Sequence, residues 1–380
     1  MLDFNYTKEC YSCRACEYAC PKKAIKSNNK TNTFFPKIND LLCVSCQKCD
    51  NICPALNISE KQDISNSKAF IAINNNNEER LKSSSGGIFI LLAKQYLKEG
   101  NYVCGCIYDE NNMPKHIVSD RIEDIYKMMG SKYVQSDLSE CYGKIATLLK
   151  EGKKILFSGV ACQIVAVNNT FKNKNIFYVG ITCHGIISRD LWKLYLDLEE
   201  EKYGGKVISC NMRGKAKGWK NYGLIIRFDD GSEHITYRYD DGYLLKCYTL
   251  GLLQQDRCLN CEYKITNTSA DIFLGDGWGI ENIYPQLDDN NGVSSIIVLT
   301  KTGTKMIFQI SKNLKLVEFP LETALSLNPR LTSPSPKNKE IYNVRKKIKN
   351  NPRDLNKILK QYSKDGFVSR VKKKLRKYFQ

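Results

Sequence analysis

Two stretches of this chain carry one cysteine pattern: CYSCRACEYACP at residues 10–21 and CVSCQKCDNICP at residues 43–54. In each, three cysteines follow one another at intervals of three, a fourth comes four residues later, and a proline ends the run. One tight loop can present three thiols so close in sequence, and thiolates are soft ligands that suit zinc and iron–sulfur clusters. The repeat therefore predicts two equivalent metal sites in a small N-terminal domain.

The repeated pattern is the bacterial ferredoxin signature, in which the fourth cysteine of each run ligates the other [4Fe-4S] cluster. We therefore predict an α+β, ferredoxin-like two-cluster domain over residues 1–56. A pair of zinc knuckles is the alternative, but zinc prefers two pairs of ligands, whereas each run offers three close thiols and a remote fourth. The predicted ligands are Cys10, Cys13, Cys16 and Cys53 for the first cluster, and Cys43, Cys46, Cys49 and Cys20 for the second.

The composition narrows the class of protein further. The chain has 380 residues, with seventeen cysteines and three histidines. No segment reaches the ~18 to 20 consecutive apolar residues of a membrane-spanning helix, and Met1–Cys10 lacks the features of a signal peptide. We therefore expect a cytoplasmic protein whose cysteines bind metals or act in redox chemistry rather than form disulfides. The scarcity of histidine argues against a His-rich zinc or non-haem iron site.

Beyond a polar linker at residues 57–68, apolar runs alternate with helical patterns, which predicts an α/β core with a mixed sheet. We divide this core into residues 69–150 and 151–330. The predicted strands are residues 69–73, 102–108, 155–157, 176–181, 224–228, 235–239, 272–274 and 296–299, and the predicted helices are residues 88–98, 139–150 and 192–201.

Three polar, glycine-containing segments are candidate cofactor sites. Ser83–Gly87 precedes a predicted helix, whose free backbone N–H groups can bind phosphate, although an ordinary serine cap explains it as well. Gly130–Tyr133 offers a lysine and two hydroxyls, which a surface turn also contains. In Asp271–Gly279, glycines around Asp276 and Trp278 allow a planar ligand to approach the backbone, or they simply form a turn.

Four further cysteines lie at the ends of predicted elements, where open α/β sheets usually bind ligands. They are Cys162, Cys183 and the C-x2-C pair Cys258 and Cys261. Together they can hold a third cluster, although a buried structural thiol is the common alternative for each alone. The remaining five have no such setting, and we interpret them as core thiols: Cys104, Cys106, Cys141, Cys210 and Cys247.

Several motifs in order resemble the coenzyme F420 hydrogenase/dehydrogenase beta-subunit family (F420 is a deazaflavin) over roughly residues 1–330. The branch in question has an N-terminal two-cluster domain. The motifs are Arg80 with Ser84–Gly87, Gly130 to Ser136, Gly159–Gln163, Cys183–Gly185, Arg213 to Trp219, Cys258–Cys261 and Asp271–Gly279.

The resemblance implies a flavin-binding core that holds FAD and an iron–sulfur cluster. The ligands of a third [4Fe-4S] cluster are then Cys162, Cys183, Cys258 and Cys261. The implied flavin site consists of Arg80, Ser84, Ser85, Gly86, Gly87, Ser131, Lys132, Tyr133, Arg213, Lys215, Trp219, Asp276 and Trp278.

The activity that the resemblance implies is that of an iron–sulfur flavoprotein oxidoreductase. It would exchange hydride with an organic acceptor, either coenzyme F420 or another substrate, and electrons with a redox donor or acceptor protein. A flavin would couple one-electron clusters to two-electron chemistry. His184 is the candidate catalytic residue as a proton relay, or a hydrogen-bonding neighbour of the cluster. The alternative is an electron-transfer subunit of a hydrogenase or dehydrogenase complex without its own substrate.

The net charge of +18 is concentrated in a basic C-terminal tail over residues 337–380. That segment has sixteen basic residues against three acidic ones, so the other 336 residues carry only about +5. Basic residues interleave with Phe367, Val371 and Leu375 at helical spacing, which predicts a helix. It is either a solvated tail or a face for an anionic membrane surface or an acidic partner; nucleic-acid binding is the least favoured alternative.

Overall fold

A computed structural model describes residues 9–27 and 34–363 of the chain. The strands are β1 (Ile25–Ser27), β2 (Pro36–Ile38), β3 (Lys68–Asn74), β4 (Tyr102–Tyr108), β5 (Pro114–Ser119), β6 (Ile155–Val160), β7 (Ile176–Ile181), β8 (Val207–Gly214), β9 (Gly223–Phe228), β10 (Glu233–Tyr237), β11 (Ile272–Asp276), β12 (Ser294–Val298) and β13 (Leu314–Phe319). The helices are α1 (Ala15–Ala19), α2 (Lys48–Ile52), α3 (Asn77–Lys82), α4 (Ile88–Lys98), α5 (Ile122–Met128), α6 (Ser139–Lys150), α7 (Ala161–Phe171), α8 (Arg189–Tyr203), α9 (Tyr243–Thr249), α10 (Asp256–Leu259), α11 (Lys301–Ile310), α12 (Leu321–Leu327) and α13 (Ile341–Asn350), and residues 355–363 are also helical.

The core is a mixed sheet of eight strands in the order β13-β3-β12-β11-β7-β6-β4-β5. Its centre is parallel, because β4, β6, β7 and β11 run in one direction, and the flanking strands are antiparallel. Buried strands of this kind are continuously apolar, which explains why the short runs at 155–157 and 272–274 were recognisable as strands. The α/β core with a mixed sheet is therefore confirmed.

The register of the parallel strands decides where a ligand can bind. Val160 at the end of β6 pairs with Ile181 at the end of β7, and Ile181 pairs with Leu274 in β11. The loops that follow these strands therefore start side by side at one edge of the sheet. This is the edge at which open α/β sheets bind ligands.

The N-terminal unit consists of two short helices, α1 and α2, and the antiparallel hairpin β1–β2. It packs on the core at several points: the Tyr142 hydroxyl donates to Cys13 O over 3.0 Å, and Arg14 forms a 2.6 Å ion pair with Asp137. The Tyr263 hydroxyl donates to Pro54 O over 2.6 Å. These contacts hold both cysteine runs against the core that carries the other four candidate ligands.

A second, antiparallel sheet β10-β9-β8 packs with the C-terminal helices on a separate apolar cluster. Val344 of α13 and Leu355 and Leu359 of the last helical segment are fully buried in that cluster. For residues 341–363 the solvated-tail alternative is therefore wrong, because these helices have an apolar face that is covered by the core. The predicted face around Phe367, Val371 and Leu375 lies outside the described residues.

Across residues 9–27 and 34–363, we find no helix with both the length and the apolar character that are needed to cross a membrane.

Candidate functional site

One cavity of about 350 Å³ lies at the carboxyl edge of the parallel strands. Its walls include the ends of β6, β7 and β11, the loop before α4 and the segment around α10. Its volume is within the range of small-molecule and cofactor sites. The topology thus brings together loops that are separated by up to two hundred residues of sequence.

The four core cysteines all line this cavity. Cys162 is in the first turn of α7, Cys183 follows β7, and Cys258 and Cys261 lie in and after α10. Gly185 adopts φ +91°, and a Cβ there would be 3.1 Å from the Cβ of Cys258, so the loop after β7 approaches α10 closely. The structure therefore brings the four predicted ligands to one place.

Electrostatics indicates how near these thiols are to one another. Burial raises the pKa of Cys162, and the thiols of Cys261, Cys183 and Cys258 raise it further. Burial raises the pKa of Cys183 to about 11. Among the described residues, no three His, Cys, Asp or Glu side chains are arranged to hold a single metal ion. A four-iron cluster makes a different demand, because each thiol binds a different iron atom.

The crossed pattern predicts two sets of ligands among the N-terminal cysteines. Burial raises the pKa of Cys10 to about 12, with a contribution from Cys53. Burial also raises the pKa of Cys16, with contributions from Cys13, Cys10, Cys53 and Cys49, so the two sets lie close enough to affect each other. The second set lines a separate small cavity, walled also by Ile25 and Ile38: Cys20, Cys43, Cys46 and Cys49. This lining places Cys20 with the second run, and the crossed pairing of the ligands stays a prediction.

The backbone of the two cysteine loops has the same unusual conformation. Ser12 and Arg14 adopt φ +55° and +61°, and the equivalent residues Ser45 and Gln47 adopt φ +52° and +57°. Non-glycine residues rarely adopt positive φ. Alternating left- and right-handed residues turn successive N–H groups inward and form concavities that bind anions, including iron–sulfur clusters. Two loops that share this strain at non-glycine residues fit such a cluster.

A buried ion pair organises the wall between the cavity and the loop before α4. Arg213 is 5% exposed and forms a 3.0 Å ion pair with Asp276 at the end of β11. The guanidinium also donates to Ser84 O over 2.9 Å and to the Tyr133 hydroxyl over 3.1 Å. Asp276 and the Tyr133 hydroxyl together keep the pKa of Arg213 well above its usual value, against the effect of burial. The guanidinium of Arg213 thus joins three other predicted site residues.

The predicted flavin-site residues separate into a lining set and a supporting set. Trp278 lines the cavity and stacks on the fully buried Trp219, with ring centroids 4.2 Å apart and planes 4° from parallel. Nine line the cavity: Ser84, Ser85, Gly87, Ser131, Lys132, Tyr133, Arg213, Asp276 and Trp278. Arg80, Gly86, Lys215 and Trp219 lie behind that wall rather than on it.

The two lysines of the set are occupied by backbone carbonyls. Lys215 donates to Arg80 O, Ser85 O and Asn291 O over 2.7 to 2.8 Å. Burial, helped by the nearby guanidinium groups, lowers its pKa to about 7. The Lys132 ammonium lies within 3.3 Å of four carbonyl oxygens at the C-terminal end of α5, and burial lowers its pKa to about 8. Both lysines hold loops in place.

The helix that follows Ser83–Gly87 is capped by Gly87, not by a serine. Gly87 has φ +80° and makes no side-chain cap. Ser85 instead donates to Val293 O, and the hydroxyls of Ser84 and Ser131 are 2.8 Å apart. The serine-cap alternative is therefore wrong, and the Ser84 and Ser131 hydroxyls lie on the cavity wall.

His184 faces the cavity beside Cys183, and the surrounding protein lowers its pKa to about 4 by desolvation.

Sequence reasoning missed several other lining residues. Tyr11 and Arg257 belong to this group, as do three more residues of the wall: Arg238, Tyr248 and Arg330. The position of Arg257 next to Cys258 was the one signal in the sequence that could have found it.

The part of the chain that contains the core cysteines is similar to a known protein family. Residues 152–323 match the family that is described as the C terminus of the coenzyme F420 hydrogenase/dehydrogenase beta subunit. The match extends over this segment, which is less than half of the chain. The resemblance stated from the motifs is confirmed, and the matched segment contains all four core cysteines. The family consists of beta subunits of hydrogenases and dehydrogenases, which have redox functions.

Two further comparisons complete the findings. Among solved structures, the F420-reducing [NiFe] hydrogenase complex from Methanosarcina barkeri is similar at 19% identity and a TM-score of 0.47, with 79% of this chain and 91% of that chain covered. A comparison with curated proteins gives no significant match.

Proposed function

We propose that this beta-subunit family member is an iron–sulfur flavoprotein oxidoreductase with its own substrate site. The observation that carries the proposal is that one cavity is lined by four core cysteines and by nine residues of the implied flavin site. Cys10 of the N-terminal unit lies on the same wall. A cofactor site and a set of soft metal ligands thus share one enclosed volume.

The donor set around the cavity suits both cofactors. Four thiols are chemically matched to a [4Fe-4S] cluster, and two N-terminal sets of four are matched to two more. The planar face of Trp278 and the hydroxyls of Ser84 and Ser131 suit a flavin and its ribityl or phosphate oxygens. The guanidinium of Arg238, which stacks on Tyr222 and Trp278, supplies positive charge at the same wall. When bound, the clusters supply single electrons and FAD exchanges hydride with an organic substrate.

The chain's own residues position and enclose these groups. Arg213 and Asp276 lock the loop before α4 to the end of β11, and Lys215 ties that loop to Asn291 through Ser85 O and Asn291 O. Trp219 holds Trp278 in one plane. His184 is the proposed proton relay because it faces the cavity next to a proposed cluster ligand.

The experiment that tests the proposal is the iron, acid-labile sulfide and flavin content of anaerobically purified protein. About twelve irons with bound FAD per chain would support three four-iron clusters and a flavin site. About eight irons without flavin would contradict the core site and leave only the N-terminal sets.

An exposed apolar face favours docking of a partner protein. Such docking fits the alternative of an electron-relay subunit, and it also fits an enzyme that exchanges electrons with a carrier protein. Leu41 is 96% exposed and Val44 is 57% exposed, and both lie within two residues of Cys43 in sequence. The thiols of Cys20, Cys43, Cys46 and Cys49 are named the distal set. Lys22 and Lys48 line the cavity of that set. An apolar patch with a basic rim suits an acidic one-electron carrier protein.

Turnover separates the two functions. A flavin enzyme reduces or oxidises an organic acceptor such as F420 as an isolated chain, whereas a relay subunit exchanges electrons with a protein carrier only. In both cases Leu41→Ser and Val44→Ser should slow the reaction with an acidic carrier and leave the iron content unchanged. Unchanged carrier kinetics would remove this face as the docking site.

A further inference from the structure

A buried arginine adjoins both the N-terminal unit and the core set of thiols. The N-terminal set of Cys10, Cys13, Cys16 and Cys53 is named the proximal set. Arg257 is in α10, one residue before Cys258, and is 9% exposed. Its guanidinium carbon is 4.2 Å above the ring of Tyr11, which lies between Cys10 and Cys13 in sequence. Arg257 and Tyr11 line the same cavity as Cys10, Cys162 and Cys261.

Two of its donors are buried without an acceptor. Within the described part of the chain, Nε and Nη2 of Arg257 have no hydrogen-bond partner. The ion pair that the structure gives Arg257 is a long one, 3.9 Å from Nη2 to Oε1 of Glu262, whose side chain is 48% exposed. An arginine cannot lose its proton at any ordinary pH, and a buried N–H without an acceptor destabilises the folded state. These donors are chemically suited to an anionic acceptor in the cavity.

Arg257 lies beside the loop of the proximal set, because its guanidinium contacts Tyr11 of that loop. Its neighbour in sequence is Cys258 of the core set. A cluster with four thiolate ligands is anionic, and hydrogen bonds to its sulfur atoms are a main determinant of its reduction potential.

We propose that Arg257 donates hydrogen bonds to sulfur atoms of both the proximal cluster and the core cluster and raises the reduction potentials of the two together. The inference rests on the function proposed above. A positive charge and N–H donors stabilise the reduced, more negative state of a cluster, so their removal should make reduction harder. The stack on Tyr11 holds the guanidinium against the N-terminal unit. The distal set at Cys46 is outside its reach and should not respond.

The test is an EPR-monitored redox titration of the anaerobic holoprotein. Arg257→Gln removes the charge and the fork of donors. We expect it to lower the reduction potentials of the proximal and core clusters by about 59 mV or more. This shift corresponds to a tenfold change in the one-electron equilibrium constant. The distal transition, identified as the one that Cys46→Ser alters, should stay in place.

Two further variants make the result decisive. Arg257→Lys keeps the charge but loses the planar fork, and we expect a smaller shift of the same sign. Arg345→Gln is the matched control, because Arg345 pairs with Asp256 of the same helix over 2.5 Å and does not line the cavity. It should leave all potentials unchanged.

The possible failures are distinguishable. If Arg257→Gln and Arg257→Lys retain the wild-type iron content with unchanged potentials, the inference is wrong while the proposed function stands. If the glutamine variant does not assemble, unchanged potentials in the lysine variant overturn the inference by themselves. If the wild-type protein contains about eight irons, the core cluster itself is absent and both proposals fail.

Discussion

The buried ion pair between Arg213 and Asp276 permits a quantitative test of how the cavity wall is held. The perturbation is Arg213→Met, which removes a guanidinium that is 5% exposed and makes four hydrogen bonds to Ser84, Tyr133 and Asp276. Methionine fills most of the volume, so the change tests the charge and the hydrogen bonds rather than a cavity.

The expected magnitude follows from what the change leaves behind. Removing one partner of a buried ion pair costs ~3 to 5 kcal/mol, because the other charge remains buried without compensation. The Asp276 side chain is 19% exposed and can recruit some water, which favours the lower end of that range. If 380 residues unfold together, the entropy of unfolding is about 0.8 kcal/mol per kelvin. We therefore expect the Tm to fall by roughly 4 °C.

The assay is thermal unfolding of the anaerobic holoprotein, followed by far-UV circular dichroism at one scan rate. Flavin content is measured on the same samples, because the wall that Arg213 supports is also the proposed flavin site. The matched control is Arg227→Met, which breaks an ion pair with Glu233 at 53% and 34% exposure. An exposed pair contributes at most ~1 kcal/mol, so the control should shift the Tm by about 1 °C or less.

A double-mutant cycle with Asp276→Asn decides whether the two residues act as a unit. In the double variant neither charge is left unpaired, so its loss of stability should be smaller than the sum of the two single losses by ~0.5 to 3 kcal/mol. Strict additivity, or an Arg213→Met effect no larger than that of Arg227→Met, would refute the reasoning.

Three other predictions concern the clusters, a close backbone approach and pH. Cys53→Ser should remove the proximal cluster that Cys10, Cys13 and Cys16 share, and Cys20→Ser should remove the distal cluster, as measured by iron content and EPR. If each variant instead loses the cluster that is bound by the other three cysteines of its own run, the crossed arrangement is wrong. Gly86→Ala should lower the Tm and the flavin content, because its Cβ would collide with Ala72 O and lie 2.7 Å from Ser294 N. The control Gly143→Ala has open space in α6 and should stabilise the fold by ~0.5 to 1 kcal/mol. Equal Tm values for the two variants would be evidence against that packing. Burial, with the Lys132 ammonium acting in the same direction, lowers the pKa of His116 from 6.5 to about 4. Between these two pH values the unfolded chain protonates this histidine and the folded chain does not. The free energy of unfolding should therefore fall by up to about 3 kcal/mol as the pH drops from 6.5 to 4. His116→Gln should flatten this part of the stability profile, and a profile that keeps its slope would show that another group titrates.

Local pattern was enough for most of the elements. The helices at 88–98 and 139–150 and the strands at 102–108 and 176–181 have the predicted boundaries, because periodicity and capping act over a few residues. Strand ends were less well predicted: β6 and β11 extend to Val160 and Asp276, since the last residues pair with neighbouring strands that the local pattern does not contain. The C-terminal helices were assigned to a tail, because the cluster that covers Val344 and Leu359 comes from distant segments.

The sequence by itself determined which residues we propose to carry chemistry: the two cysteine runs, the four core cysteines and the loops that resemble a known family. Their spacing reports the ligands that one loop can present, which is a local property of the chain. The tertiary structure decided which partners these residues meet. Lys132 and Lys215 were named as residues of the implied flavin site, but their ammonium groups donate to backbone carbonyls.

Arg257, which no motif singled out, has two buried donors without an acceptor among the described residues and adjoins both the N-terminal unit and the core set of thiols. The physical reason is that burial and hydrogen-bond partners depend on contacts between residues far apart in the chain. These contacts decide whether a charged side chain lies at the surface or binds a ligand. The composition of the chain and the spacing of its residues do not reveal which distant residues come into contact.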